Sequence, residues 1–162
     1  ENFLRVPEPL IQKEFSRIMS LKDGSKKMSK SELSDQSRIN LTDTKDEIIN
    51  KIKKAKTDPL PMPDDISELD TRLETKNLLG IYSSLTNSSL KKSVETFAGK
   101  NFSEFKEKLS DELVNELDPI SKEIIKLLND KAYLDKILLE GVEKADGIAS
   151  KKIEKIKEIV GF

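Results

Sequence analysis

Apolar residues recur at helical spacing over most of this chain, and they predict five helices. The first is predicted for residues 43–56, where Thr42 or Thr44 can serve as the N-cap. Acidic residues open this segment and lysines close it, an order that suits the helix dipole. Its buried stripe is predicted to consist of Ile48, Ile52 and Ala55. The other helices are predicted for residues 72–86, 90–97, 102–128 and 131–159.

Proline and small residues modify this helical pattern at three places. Pro119 lies inside the stripe of the fourth helix and removes one backbone donor, so we expect a bend there and not a break. On the fifth helix, Gly141, Ala145 and Ala149 form a row that predicts the close approach of a neighbouring helix, with room for another molecule's backbone as the alternative. Residues 57–70 are rich in Pro and Asp and predict a linker.

The segment before the first helix has an extended pattern. Two prolines, at positions 7 and 9, favour an extended entry. Residues 17–21 form a short run that predicts a strand, and Leu10, Ile11 and Phe15 are expected to pack beneath it.

A loop rich in lysine and serine, residues 22–40, follows the predicted strand. Four lysines are opposed before Glu32 by only Asp23, so the loop carries an excess of positive charge that would attract an anionic ligand. Ammonium groups can follow a polyphosphate as its charge redistributes, and hydroxyl and N–H groups add neutral donors. Most loops of this composition are ordinary solvated turns, so only the order of the residues can single this one out.

Composition excludes several kinds of site. The 162 residues include no cysteine and no histidine, which excludes disulfides, thiol catalysis, Cys/His zinc sites and Ser-His-Asp triads. The net charge of −1 gives no global basic field for nucleic acid, and no apolar run approaches membrane-spanning length. The acidic pairs at 64–65 and 111–112 have no partner base nearby and are interpreted as surface. The lysines of the last helix alternate with glutamates, so we interpret them as a salt-bridged surface, with an RNA-facing surface as the alternative.

The order of residues in the loop resembles a known signature. Residues 27–31 spell KMSKS, the motif of class I aminoacyl-tRNA synthetases. Other runs resemble bacterial and organellar tryptophanyl-tRNA synthetases in the order that family shows: residues 6–11, 16–21, 56–58, 77–79, 97–100, 105–106, 141–145 and 160–162. The resemblance covers essentially the whole chain. It departs from the family at residues 74–76, where small residues are usual.

The resemblance implies a mainly α fold, namely a helical bundle of anticodon-binding type preceded by the last strand and KMSKS loop of a Rossmann-like nucleotide-binding fold. Residues 1–41 would end the nucleotide-binding fold, residues 42–70 would form a helix and linker, and residues 71–162 would form a C-terminal helical tRNA-binding domain. The family's amino-acid pocket and HIGH-type signature have no match here. The expected molecule is therefore the C-terminal half of an enzyme, inactive by itself.

The resemblance also implies a reaction, in which tryptophan is activated with ATP and transferred to tRNA(Trp). Lys27 and Lys30 would be catalytic, stabilising charge on the leaving pyrophosphate, with Mg²⁺ bridging the phosphates and no metal ligand from this chain. The residues expected at ATP are Ile18, Met19, Lys27, Met28, Ser29, Lys30 and Ser31. Backbone groups of the first two would face adenine, Met28 would pack inward to set the register of the loop, and the serines would supply hydroxyls or cap the loop.

The expected partners are tRNA(Trp), ATP and tryptophan, without a membrane, in a homodimeric parent enzyme of the cytoplasm or, alternatively, of an organelle matrix. A different class of function stays open: a non-catalytic helical module that binds RNA or protein, in which the lysine loop is incidental. That alternative explains neither the KMSKS order nor the runs downstream of it.

Overall fold

The computed structural model describes residues 3–4, 6–11 and 15–161. Within these ranges the chain forms five α-helices and two short 3₁₀ helices, which confirms the mainly helical prediction. The α-helices are α1 (Lys45–Lys53), α2 (Leu73–Leu85), α3 (Leu90–Phe97), α4 (Phe102–Asn129) and α5 (Lys131–Val160). The 3₁₀ helices cover Asp35–Ser37 and Ile66–Asp70.

Local capping determines where α1 begins. The Thr44 hydroxyl accepts from the Glu47 N–H, and the Glu47 carboxylate accepts from the Thr44 N–H at 2.7 Å, which completes a capping box. Of the two candidate caps, Thr44 is therefore the one used. The helix is shorter than the predicted 43–56 because Asp43 is engaged elsewhere and the chain leaves the helix after Lys53. The other long helices start beside Asn101 and Asp130, each of which accepts a backbone N–H.

The core lies between α1, α2, α3 and the first half of α4. The predicted stripe of α1 is confirmed, since all three of its residues are buried. The rings of Tyr82, Phe97 and Phe105 meet edge to face. The centroids of Tyr82 and Phe97 are 5.0 Å apart, and those of Phe97 and Phe105 are 4.9 Å apart. This aromatic cluster joins α2, α3 and α4 into one packed unit.

The Pro- and Asp-rich stretch contributes to this core. Met62 is buried, its N–H donates to the Lys100 carbonyl at 2.9 Å, and its carbonyl accepts from the Gly99 N–H at 3.2 Å. Leu69 is buried as well. The proposed division of the chain into three domains stays a prediction.

The predicted strand at residues 17–21 is wrong for the described part of the chain. Only an isolated antiparallel bridge forms there, between Met19 and Lys27. A strand needs a neighbouring ladder along its length, and this segment is paired at one point only. Leu10 and Ile11 are exposed and do not pack beneath it. Phe15 is half-buried, with its ring against Gly80 of α2.

The expectation of a close helix neighbour for α5 is also wrong within the described residues. No residue of α5 is buried, and a Cβ at Gly141 would meet nothing within 4 Å. Within the described ranges, α5 contacts α4 and, through Lys152 and Lys155, Phe3; the Lys152 Nζ donates to the Phe3 carbonyl at 3.0 Å. Helix α4 continues through Pro119 as one helix, and the bend there stays a prediction.

Among the described residues, no helix is both long and apolar enough to cross a membrane.

Candidate functional site

The lysine loop starts from a narrow hairpin. The Ser20 N–H donates to the Lys26 carbonyl at 2.8 Å, and the Met28 N–H donates to the Ile18 carbonyl at 2.9 Å. These two bonds flank the bridge between Met19 and Lys27. The first lysine of the KMSKS motif is thus held directly beside the segment that precedes the loop.

The tip of the hairpin is closed by local hydrogen bonds. The Asp23 carboxylate accepts from the Ser25 hydroxyl at 2.6 Å and from the Ser25 N–H at 3.0 Å. These bonds, with a further contribution from Lys26, lower the pKa of Asp23 to about 2. Lys26 pairs with Asp23 at 3.2 Å and is largely exposed, as a solvated surface lysine is.

Glycine is required at position 24 because the hairpin touches the start of α2. Gly24 is buried, and a Cβ there would lie 2.7 Å from the Glu74 nitrogen and 2.8 Å from the Leu73 carbonyl carbon. Backbone atoms cannot move aside as a flexible side chain can, so any other residue would push the hairpin off the helix.

A side chain from α2 also holds the strand-like segment. The Asn77 amide accepts from the Met19 N–H and donates to the Met19 carbonyl, both at 2.8 Å. Both backbone polar groups of Met19 are thereby satisfied by one buried side chain. In the sequence Asn77 stands out only as part of the run 77–79, although an amide among the apolar residues of a predicted helix is itself a signal of a buried hydrogen bond.

The motif itself projects from this base. Lys27 and Lys30 are exposed, and within the part of the chain that the structure describes neither forms an ion pair. Met28 is partly buried and packs against the core, as predicted for its side chain. The Ser29 hydroxyl accepts from the Ser31 N–H at 3.3 Å, so it shapes the turn between the two lysines. The loop therefore presents two ammonium groups that are available to an anion.

Beyond the motif, the loop is fixed to α1 by a buried ion cluster. Lys51 is only 2% exposed, and its Nζ lies 2.6 Å from both an Asp35 and an Asp43 oxygen. The hydrogen bond from Lys51, followed by one from Asn40, lowers the pKa of Asp35. Burial favours a lower pKa for Lys51, but its hydrogen bonds to the two aspartates outweigh burial and raise that pKa. The sequence analysis did not identify this cluster.

Glu74 and Thr75, at positions where the resemblance leads us to expect small residues, have polar partners next to the hairpin. The Glu74 carboxylate pairs with Lys56 at 2.7 Å, and the Lys56 N–H donates to the Leu21 carbonyl at 2.7 Å. The Thr75 hydroxyl donates to Asp58 at 2.8 Å. Glu74 and Thr75 thus have partners that connect α2 to the base of the loop.

Asp58 and Asp65 have structural roles. Burial favours a higher pKa for Asp58, but hydrogen bonds from Arg72, Thr75 and the Leu60 N–H together lower it. Asp65 caps the second 3₁₀ helix. Within the described residues no three acidic side chains are grouped so that they could hold a metal ion.

Comparisons with known proteins bear on this loop and on the helices. The family model for tRNA synthetases class I (W and Y) matches residues 1–118. A tryptophan–tRNA ligase of Caulobacter vibrioides is 48% identical over 160 residues, which are 99% of this chain and 46% of that protein. The corresponding protein of Rickettsia felis is 49% identical over 162 residues, which are 100% of this chain and 48% of that protein. The chain thus spans about half the length of the curated relatives it matches.

Solved structures give the same result for the fold. A tryptophanyl-tRNA synthetase structure from Mycoplasma pneumoniae aligns with a TM-score of 0.81 at 25% identity, covering 98% of this chain and 47% of that one. A structure from Campylobacter jejuni, complexed with ADP and tryptophan, aligns with a TM-score of 0.68 at 23% identity, covering 99% of this chain and 48% of that one. The family model matches most of the chain, and the KMSKS residues follow a hydrogen-bonded hairpin. The chain therefore belongs to the class I tRNA synthetases of the W and Y type.

Proposed function

We propose that this chain is the C-terminal part of a tryptophan–tRNA ligase, which activates tryptophan with ATP and transfers it to tRNA(Trp). The observation that carries the proposal is the pair of exposed ammonium groups on Lys27 and Lys30, which lie on a loop held to α2 at one end and to α1 at the other. The tryptophan specificity is supported by the names of the relatives that match the whole chain.

In the first step a tryptophan carboxylate attacks the α-phosphorus of ATP, and pyrophosphate leaves. The step needs little proton transfer, so the protein contributes position and charge stabilisation. Lys27 and Lys30 stabilise the negative charge that develops on pyrophosphate, and the hydroxyls of Ser29 and Ser31 shape the loop around them. Mg²⁺ would enter together with ATP and neutralise charge on the phosphates, and no residue of this chain is proposed as its ligand.

Adenine is proposed to lie at the outer edge of the hairpin, beside Ile18. Both polar backbone groups of Met19 are bound by Asn77, so Met19 contributes through the shape of the backbone. The Ile18 carbonyl already accepts from Met28, and this bond connects the adenine edge to the motif.

The remaining parts of the proposal concern the full-length protein. Residues 71–162 are assigned to a tRNA-binding helical domain, residues 42–70 to a helix with its connecting segment, and residues 1–41 to the end of the nucleotide-binding fold. The full-length protein is proposed to be a homodimer in the cytoplasm or in an organelle matrix, and the 162-residue chain alone is proposed to be inactive.

The test is tryptophan-dependent ATP–pyrophosphate exchange in the full-length protein. Lys30→Ala and Lys27→Ala should each slow activation by about 10²–10³-fold, the scale for one lost transition-state donor. Lys26→Ala is the matched control and should change little, because that lysine pairs with Asp23 and is largely exposed. Equal, negligible effects of all three changes would instead support the non-catalytic binding module. Exchange activity in the isolated 162-residue chain would contradict the half-enzyme assignment.

A further inference from the structure

We infer that Asn77 is a positioning residue for the activation reaction, holding the base of the lysine loop in its reactive place through Met19. The inference rests on the function proposed above. Asn77 is only 7% exposed, and its amide makes two hydrogen bonds of 2.8 Å to one residue that is 58 positions away in sequence.

The geometry reproduces what a neighbouring strand would supply. In a sheet, one residue donates and accepts through its N–H and C=O groups to the same neighbour. Here a side-chain amide offers both groups from a helix and so occupies the place of a ladder partner. Leu21, two residues further along, is held separately by its hydrogen bonds to Ser37 and Lys56. Within the described residues Met19 itself has only its bridge to Lys27 and this amide, so the amide determines how Met19 is placed against α2.

The amide itself has little freedom to move. Its helical neighbours Thr75, Leu78 and Leu79 are almost completely buried, which fixes the orientation of α2 at this turn. An amide that is tightly packed and forms two hydrogen bonds holds Met19 in a fixed position relative to the core.

The position of Met19 affects the motif directly, because Met19 is paired with the first residue of the motif. Met19 lies opposite Lys27 in the bridge, and the next residue pair is joined by the bond from the Met28 N–H to the Ile18 carbonyl. A shift of Met19 therefore moves the first catalytic lysine and the start of the turn that carries the second. A misplacement of about 1 Å in a reacting site can cost about 10²-fold in rate.

The experiment compares three variants of the full-length protein. Asn77→Ala removes both hydrogen bonds, and Asn77→Asp removes the donor at nearly constant volume. Ser83→Ala is the matched control: Ser83 is also buried on α2 and donates to the Leu79 carbonyl at 2.8 Å, but it has no hydrogen bond to the loop. Each variant is measured for thermal unfolding, for tryptophan affinity and for exchange rate per active site, the sites being counted by the burst of adenylate formation.

Both Asn77 variants should lower the rate per active site by about 10²-fold while tryptophan affinity stays unchanged. Ser83→Ala should lower the melting temperature and leave the rate per active site unchanged. The inference is overturned if the Asn77 variants behave like Ser83→Ala, or if tryptophan affinity falls in parallel with the rate. If Lys30→Ala leaves the rate unchanged in the same assay, the proposed function is overturned instead. Failure of the inference and failure of the proposed function can therefore be told apart.

Discussion

Replacing Lys51 by methionine tests whether the buried ion cluster holds the far end of the loop. Methionine keeps most of the length of the side chain and removes the ammonium group. The change leaves the Asp35 and Asp43 carboxylates facing each other without the cation that now lies 2.6 Å from each. Asp43 is only 7% exposed, so its charge cannot be fully solvated where it stands.

The magnitude follows from the exposure of the two aspartates. Removing one partner of a buried ion pair costs about 3–5 kcal/mol. Asp35 is 54% exposed and its charge is screened by solvent, so most of the loss comes from Asp43. We therefore expect Lys51→Met to lower the free energy of unfolding of the 162-residue chain by about 3 kcal/mol, at the low end of that range.

Urea denaturation of the 162-residue chain, followed by circular dichroism, measures this change. Lys53→Met on the same helix is the control, because it removes the same charge from an exposed position and should cost at most about 1 kcal/mol. If the two variants lose the same free energy, the ion cluster does not stabilise the loop and the reasoning fails.

The pH dependence of the free energy of unfolding tests independently whether the Lys51 cation stabilises the folded chain. The pKa of Asp35 is lowered in the folded chain, so its contribution to stability is present above the unfolded pKa of about 3.9 and is lost as the pH falls through the folded value. In Lys51→Met the Asp35 carboxylate loses the hydrogen bond from Lys51 that lowers its pKa most, so this pH-dependent part of the stability belongs to the wild type. The difference in unfolding free energy between the wild type and the variant should therefore shrink as the pH is lowered from neutrality to below about 4. A difference that stays constant with pH would contradict this account.

Two further predictions concern the hairpin and its mobility. Gly24→Ala should destabilise the chain by about 1–3 kcal/mol in thermal unfolding because the added carbon meets backbone atoms of α2, whereas Gly147→Ala, in an open part of α5, should stabilise it by up to about 1 kcal/mol. In hydrogen exchange of the same chain the Met19 amide, bound to Asn77, should be protected while the Lys30 amide exchanges rapidly; equal rates at both positions would contradict the anchored hairpin.

Sequence reasoning was most successful where structure depends on neighbours along the chain. The range of α3 was predicted as it is observed, because Ser89 caps its start and the apolar spacing ends at Phe97. The helices α2, α4 and α5 agree with their predicted ranges to within one or two residues. Helical periodicity and capping are local properties, so a single sequence carries them.

The same reasoning failed where structure depends on distant partners. The strand at 17–21 was inferred from its composition, yet the backbone groups of Met19, at its centre, bind an amide from α2 where a strand would offer them to a neighbouring strand. The row of small residues on α5 was inferred from spacing that is common at helix contacts, but spacing does not say whether a neighbour is present. Propensity reports what a segment can do, and tertiary context decides what it does.

The candidate site divides in the same way. The order of residues at 27–31 was sufficient to single out the loop. Its supports were not predictable, because Asn77 reaches across 58 positions to Met19, and because Lys51 was assigned to the basic end of α1 and not to a buried cluster. The sequence does not indicate that a lysine in a basic stretch is buried. The burial of Lys51 is evident only from the packing of α1 against the loop.

The two anchors of the loop differ in their chemistry, and the difference has a consequence for the lysines. The first anchor includes a neutral amide at Asn77 and a steric contact at Gly24, and neither of these two contacts carries a charge. The second depends on the charges of Lys51, Asp35 and Asp43, and it weakens as Asp35 is protonated. We therefore expect acid to loosen the segment after the motif before it separates Lys27 from Met19. Because Lys30 is closer than Lys27 to Asp35 along the chain, we expect its position to be the more sensitive of the two to pH.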